Sequence, residues 1–169
     1  MKNLKYFLFL FSVTGIAFGV LILFTINTTG SLPKGIYYNT FKEPVLNDIV
    51  LFCPPINDVV KYGYEHKFFK FSYLCPGNYQ PLMKRVYALQ NDNVTVTDEA
   101  VFINGKAINN TEYIHFLPPH LKTYFQGKLK ENEYFLLSDY HTNSFDSRYF
   151  GIVHKNNIIK TIKPLILWR

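Results

Sequence analysis

The chain has 169 residues, 48% of them hydrophobic and 18% charged, which excludes a disordered polypeptide and leaves enough apolar material for one domain with a core. Its net charge is +6, but two of the charges are Lys2 and Lys5, and the remaining 16 basic and 12 acidic residues are spread without a block. A nucleic-acid partner calls for a basic stripe or cluster, so none is expected; a weak attraction to anionic membrane lipid is the most this surface supports.

In chain order, Lys2 and Lys5 precede an uncharged apolar run over residues 6–25. At about 1.5 Å per residue such a run spans the roughly 30 Å hydrocarbon core of a bilayer. A cleavable leader would have a shorter run and a small-residue site after it, whereas Thr25-Ile26-Asn27-Thr28-Thr29 follows here. The expectation is therefore a single-pass transmembrane helix over 6–25, with residues 1–5 as a cytosolic stub. Because lysine-rich flanks stay inside, residues 26–169 are expected to be exported as one domain. Ser31 then lies a few residues above the outer interface.

The exported part reads as mostly β. Tyr and Phe are abundant, and alternating stretches predict strands over 35–38, 48–53, 82–89, 94–96, 133–137 and 157–162. Val101-Phe102-Ile103-Asn104-Gly105-Lys106-Ala107-Ile108 predicts a tight hairpin, since Asn-Gly tolerates the two positive φ angles of a type I′ turn. Residues 60–81 are less regular, and 113–127, with Pro118-Pro119, read as a loop or short helix. Cys53 and Cys75 are the only cysteines, and in an exported domain an even count points to a disulfide, with two buried thiols as the alternative. No metal site is expected from two cysteines without a histidine cluster.

Ser31 and Lys84 carry the chemistry. A serine hydroxyl needs a base to become a nucleophile. A lysine can be that base only when neutral, so its pKa must fall from about 10.4 toward 7, and burial in an apolar site supplies such a shift. In a strand, Leu82, Lys84 and Val86 share one face and Arg85 points the other way. A lone strand lysine is ordinarily a solvated charge, so Ser31 is what raises Lys84 above that reading. In Thr29-Gly30-Ser31, the Ser31 N–H and the Thr29 hydroxyl are candidate oxyanion donors. Ser144-Phe145-Asp146-Ser147-Arg148 supplies a hydroxyl to orient Lys84 and an Asp146–Arg148 pair to brace the loop. A histidine base is disfavoured: His141 lies in a polar loop near Asp139, and no Gly-x-Ser-x-Gly elbow is present.

These blocks, taken in order, resemble the type I signal peptidases of the Ser–Lys clan, and most closely their conjugative-transfer, TraF-type branch. Thr29-Gly30-Ser31-Leu32-Pro33 resembles the nucleophile box, Lys84-Arg85-Val86 the general-base box, and Asn143 to Gly151 the closing box. Phe52-Cys53-Pro54-Pro55, Cys75-Pro76-Gly77 and the ending Lys163-Pro164-Leu165-Ile166-Leu167-Trp168 resemble features of the conjugative branch. Two boxes depart: Ser138-Asp139-Tyr140-His141 stands for Gly-Asp-Asn-Arg, and Leu89-Gln90-Asn91-Asp92 for Leu-Pro-Gly-Asp. The resemblance implies antiparallel sheets around a groove, a bacterial inner-membrane location with the catalytic domain in the periplasm, and no cofactor. It also implies a precursor-protein substrate, for this branch a pilin or transfer-machinery subunit. A broad-specificity signal peptidase and a catalytically silent assembly scaffold are the competing readings.

Overall fold

The computed structural model describes residues 23–168 continuously, together with Tyr6, Phe11, Thr14 and Gly19. Most of the expected membrane anchor thus lies outside the described residues. Among the described residues no helix is long and apolar enough to cross a membrane. Phe24 and Thr25, which hydropathy assigns to the end of that anchor, belong to the first strand.

The described strands are β1 (Phe24–Asn27), β2 (Gly35–Asn39), β3 (Ile49–Phe52), β4 (Leu82–Ala88), β5 (Asn93–Val96), β6 (Val101–Ile103), β7 (Lys106–Ile108), β8 (Gln126–Lys128), β9 (Glu133–Leu137), β10 (Val153–His154) and β11 (Ile158–Leu167). They form two antiparallel sheets, one of seven strands in the order β1-β2-β11-β3-β4-β9-β10 and one of four in the order β7-β6-β5-β8. The mostly β, antiparallel architecture read from the alternation is the one the chain adopts. The predicted hairpin is β6–β7, with Asn104 and Gly105 at φ 51° and 79° as the turn requires.

The large sheet is covered on both faces. Val50 and Phe52 of β3 and Val86 and Ala88 of β4 face the main core, with Phe135, Leu136, Tyr149 and Phe150. On the other face Ile49, Met83 and Ile162 join Leu32 and Tyr37 in a small second core. Leu32 is 1% exposed, so the residue after Ser31 is an apolar plug that ties the serine's loop to the sheet. Gly35, where β2 begins, has no alternative: an added Cβ would meet the Ile166 carbonyl oxygen of β11 at 2.3 Å.

The stretch read as irregular contains a helix, α1 (Asp58–Glu65), capped by Asn57, whose side chain accepts from the Val60 N–H at 2.9 Å. Asn57 also donates to the Phe150 carbonyl at 3.1 Å, which docks α1 against the closing segment. A second helix of one turn, α2 (Ser147–Phe150), is capped by Asp146 and wholly buried. Propensity does not foresee α1, because Val59, Val60, Tyr62 and Tyr64 are strand formers by type; burial of Val59, Val60 and Gly63 on one side decides the helix. The last strand also runs beyond the predicted end, continuing past Pro164, which pairs with Tyr37, with a register break between Pro164 and Ile166.

Candidate active site

Lys84 sits in mid-sheet on β4, opposite Val50 of β3, and is 3% exposed. Burial in this apolar setting lowers its pKa from 10.5 to about 8; nearby Asp146 works against the shift and Arg148 with it. The ammonium Nζ donates to Ser144 Oγ at 2.7 Å, and Ser144 Oγ donates to Ser31 Oγ at 3.1 Å. Three residues 60 and 113 positions apart in sequence thus share one hydrogen-bonded chain, with Ser144 in the middle.

Ser144 is held by the segment that carries it. Arg148 is 1% exposed, and its Nε and Nη2 donate to the two carboxylate oxygens of Asp146, each at 2.9 Å. The same guanidinium donates to the Ser144 carbonyl at 3.0 Å and to the Glu112 carbonyl at 3.0 Å. Asp146 in turn accepts from the Ser138 N–H at 3.0 Å. This buried fork leaves the ion pair satisfied and welds the closing segment to the end of β9.

Ser31 is half-buried at the tip of the β1–β2 turn. Its N–H donates to nothing among the described residues, which leaves it free to meet an oxyanion. The Thr29 hydroxyl, the other candidate donor, gives its proton to Asn27 Oδ1 at 2.8 Å. Asn27 and Ser138 are two residues the sequence reading did not single out for the site. Asn27 threads the turn with its amide, and the Ser138 hydroxyl donates to the Ser31 carbonyl. The only signal for Ser138 was its departure from the glycine expected in that box; Asn27 carried none.

A cleft of about 310 Å³ opens beside these groups, lined by Ser31, Thr29, Lys84, Ile26, Leu74 and Phe145 among others. Part of its wall comes from the segment closed by a Cys53–Cys75 disulfide of S–S length 2.09 Å, which brings Phe68, Phe69, Ser72 and Leu74 to the cleft. His141 is not in this constellation; its Nδ1 accepts from the Asn143 N–H at 3.1 Å in its own turn.

Chemically, the arrangement offers a hydroxyl nucleophile, a buried amine of reduced basicity connected to it, and an open backbone N–H beside it. That combination suits acyl transfer. The family model for signal peptidase, peptidase S26, matches residues 4–168 of the chain. A plasmid transfer protein TraF of Escherichia coli is 35% identical over 147 residues, spanning 85% of this chain and 82% of that protein. A conjugal transfer protein TraF of Agrobacterium fabrum is 27% identical over 144 residues, spanning 84% and 81%. The solved structure of a signal peptidase I from Enterococcus faecalis aligns with 73% of this chain and all of its own, at 21% identity and a TM-score of 0.43, too loose a match to speak to the site.

Proposed function

This chain belongs to the signal peptidase, peptidase S26 family, and on that premise we propose that it is a membrane-anchored serine endopeptidase with Ser31 as nucleophile and Lys84 as general base. The observation that carries the reading is the buried Lys84 amine, of pKa about 8, joined to Ser31 through the Ser144 hydroxyl. Once Lys84 is neutral, the hydrogen-bond chain can reverse. Ser31 then donates to Ser144 and Ser144 to the lysine lone pair, so the serine proton has a path to Nζ as Oγ attacks the scissile carbonyl carbon. The carbonyl oxygen becomes an oxyanion, for which the Ser31 N–H, and the Thr29 hydroxyl once it leaves Asn27 Oδ1, would be the donors. Collapse of the tetrahedral intermediate breaks the C–N bond, and the Lys84 ammonium returns its proton to the departing amine. A water activated by the same lysine then hydrolyses the acyl-serine and frees Ser31.

The proposed substrate class rests on the relatives as its support. Similarity to plasmid and conjugal transfer proteins favours a precursor of the transfer machinery, such as a pilin, over general export. An apolar anchor at residues 6–25 would hold Ser31 near the bilayer, where a precursor's own apolar segment delivers its cleavage site. The test is incubation of the purified full-length protein with candidate pilin precursors and mass spectrometry of the products. Wild type yields two defined fragments, and Ser31→Ala and Lys84→Ala each yield none while remaining folded. Cleavage by either variant removes the dyad, and an inert wild type on every precursor favours the scaffold reading.

A further inference from the structure

We propose that Asn27 and Ser138 are positioning residues that hold the Ser31 turn in its attacking geometry, and that Asn27 keeps the Thr29 hydroxyl turned inward until charge develops on the substrate carbonyl. The proposal rests on Ser31 being the nucleophile.

Asn27 is the last residue of β1, and its side chain is 2% exposed. Its Nδ2 donates to the carbonyls of Leu32 and Pro33, each at 3.0 Å, and to that of Thr29 at 3.3 Å. Its Oδ1 accepts from the Thr29 N–H at 3.0 Å and from the Thr29 hydroxyl at 2.8 Å. One amide therefore satisfies backbone groups on both sides of Ser31. Without it, the Leu32 and Thr29 carbonyls of a partly buried turn would lose their donor, and the turn would relax to find others. Ser138, with no exposed surface, fixes the remaining group by donating its hydroxyl to the Ser31 carbonyl. The serine peptide is thus held at its own carbonyl and at its neighbours, with the Leu32 plug beneath and the Tyr37 hydroxyl on the Pro33 carbonyl at 2.6 Å. The Ser31 N–H itself donates to nothing among the described residues.

The Thr29 hydroxyl has one proton, and an amide oxygen can only accept. To serve an oxyanion it must leave Asn27 Oδ1, which keeps the Thr29 N–H and so is never stranded. The exchange is nearly balanced in the resting enzyme and becomes favourable once the acceptor is charged. Asn27→Asp would bias it the wrong way, because a carboxylate holds the hydroxyl more tightly and also repels the Leu32 and Pro33 carbonyls.

The experiment compares full-length wild type, Asn27→Ala, Asn27→Asp and Ser138→Ala in detergent. It measures kcat and KM on one cleavable precursor, the pH profile, and hydrogen exchange of the turn amides. Displacement of a nucleophile by about 1 Å costs on the order of 10²-fold in rate. Asn27→Ala should therefore lower kcat by about that factor, Asn27→Asp by at least as much, and Ser138→Ala by roughly tenfold. KM should stay within about threefold and the acid limb of the profile should not move, since neither residue touches Lys84. Ser138→Ala removes a single oxygen and serves if Asn27→Ala does not fold. Unchanged kcat in the folded variants, a loss carried by KM, or a displaced acid limb overturns the proposal. The exchange data separate this from failure of the peptidase reading: the Thr29 amide should be protected in wild type and exchange at least about tenfold faster in Asn27→Ala. Equal exchange refutes the clamp even if no precursor is cleaved; faster exchange in an inert protein keeps the clamp and rejects the nucleophile.

Discussion

Lys84→Met keeps an unbranched side chain of similar length on β4 and removes the charge from a position that is 3% exposed. In wild type, folding lowers the lysine's pKa from 10.5 to about 8, with burial as the chief cause. Between those values the unfolded chain holds more proton than the folded one, so the free energy of unfolding rises with pH through that window. The gap between the two values corresponds to roughly 3 kcal/mol. Nearly all of that cost acts at pH 7, and all but about 1 kcal/mol of it is gone at pH 10. Methionine carries no such cost, so its stability advantage over wild type should shrink by about 2 to 3 kcal/mol between pH 7 and pH 10. Absolute stabilities are less informative, since the variant also removes the hydrogen bond that Ser144 accepts from Lys84 and since buried tyrosines such as Tyr113, raised to about 12, titrate in both proteins. The difference between the two curves cancels the tyrosines. The assay is guanidinium unfolding of both full-length proteins in mild detergent, followed by circular dichroism at four pH values. A difference that stays constant from pH 7 to pH 10, or widens, refutes the claim that Lys84 is buried with a depressed pKa.

If neutral Lys84 is the base, log(kcat/KM) should rise with unit slope up to about pH 8 and then level; a profile flat from pH 6 to 9 would exclude it. Lys84→Arg should be inactive throughout, because arginine stays protonated. Arg148→Ala strands the Asp146 carboxylate and should destabilise by about 3–5 kcal/mol, read as a fall in denaturant midpoint; a change under 1 kcal/mol would show that the buried fork is not structural. Cys53→Ser with Cys75→Ser opens a loop of sequence separation 22 and should cost about 3 kcal/mol, while KM rises because the Phe68–Leu74 wall is released; an unaltered KM would separate that wall from substrate binding. Deleting residues 1–22 leaves β1 whole and should reduce cleavage of membrane-embedded precursors far more than cleavage of a short soluble peptide. Equal losses would mean that the segment serves folding rather than delivery.

Local order was largely legible in the sequence, because it depends on neighbours. The alternation of β4, the Asn104-Gly105 turn, the β9 run and the pairing of two lone cysteines each rest on residues a few positions apart or on a count of two. The order of the serine, lysine and closing blocks was legible for the same reason. By contrast, α1 was hidden by its strand-forming valines and tyrosines, and only the surface it packs against resolves that conflict.

Lys84 shows where sequence reading ends. Its strand and its face were readable, but a strand lysine is solvated or buried according to what surrounds it, and here Ser144, Asp146 and Arg148 come to it from some sixty residues away. Likewise the Ser31 turn was recognisable, while the groups that hold it, Asn27 by its side-chain direction and Ser138 across 107 positions, carry no motif. Periodicity and composition record energies shared between near neighbours. A depressed pKa or a clamped carbonyl instead depends on desolvation and hydrogen bonds between segments that meet only after the sheet has closed, and so only the tertiary structure decides them.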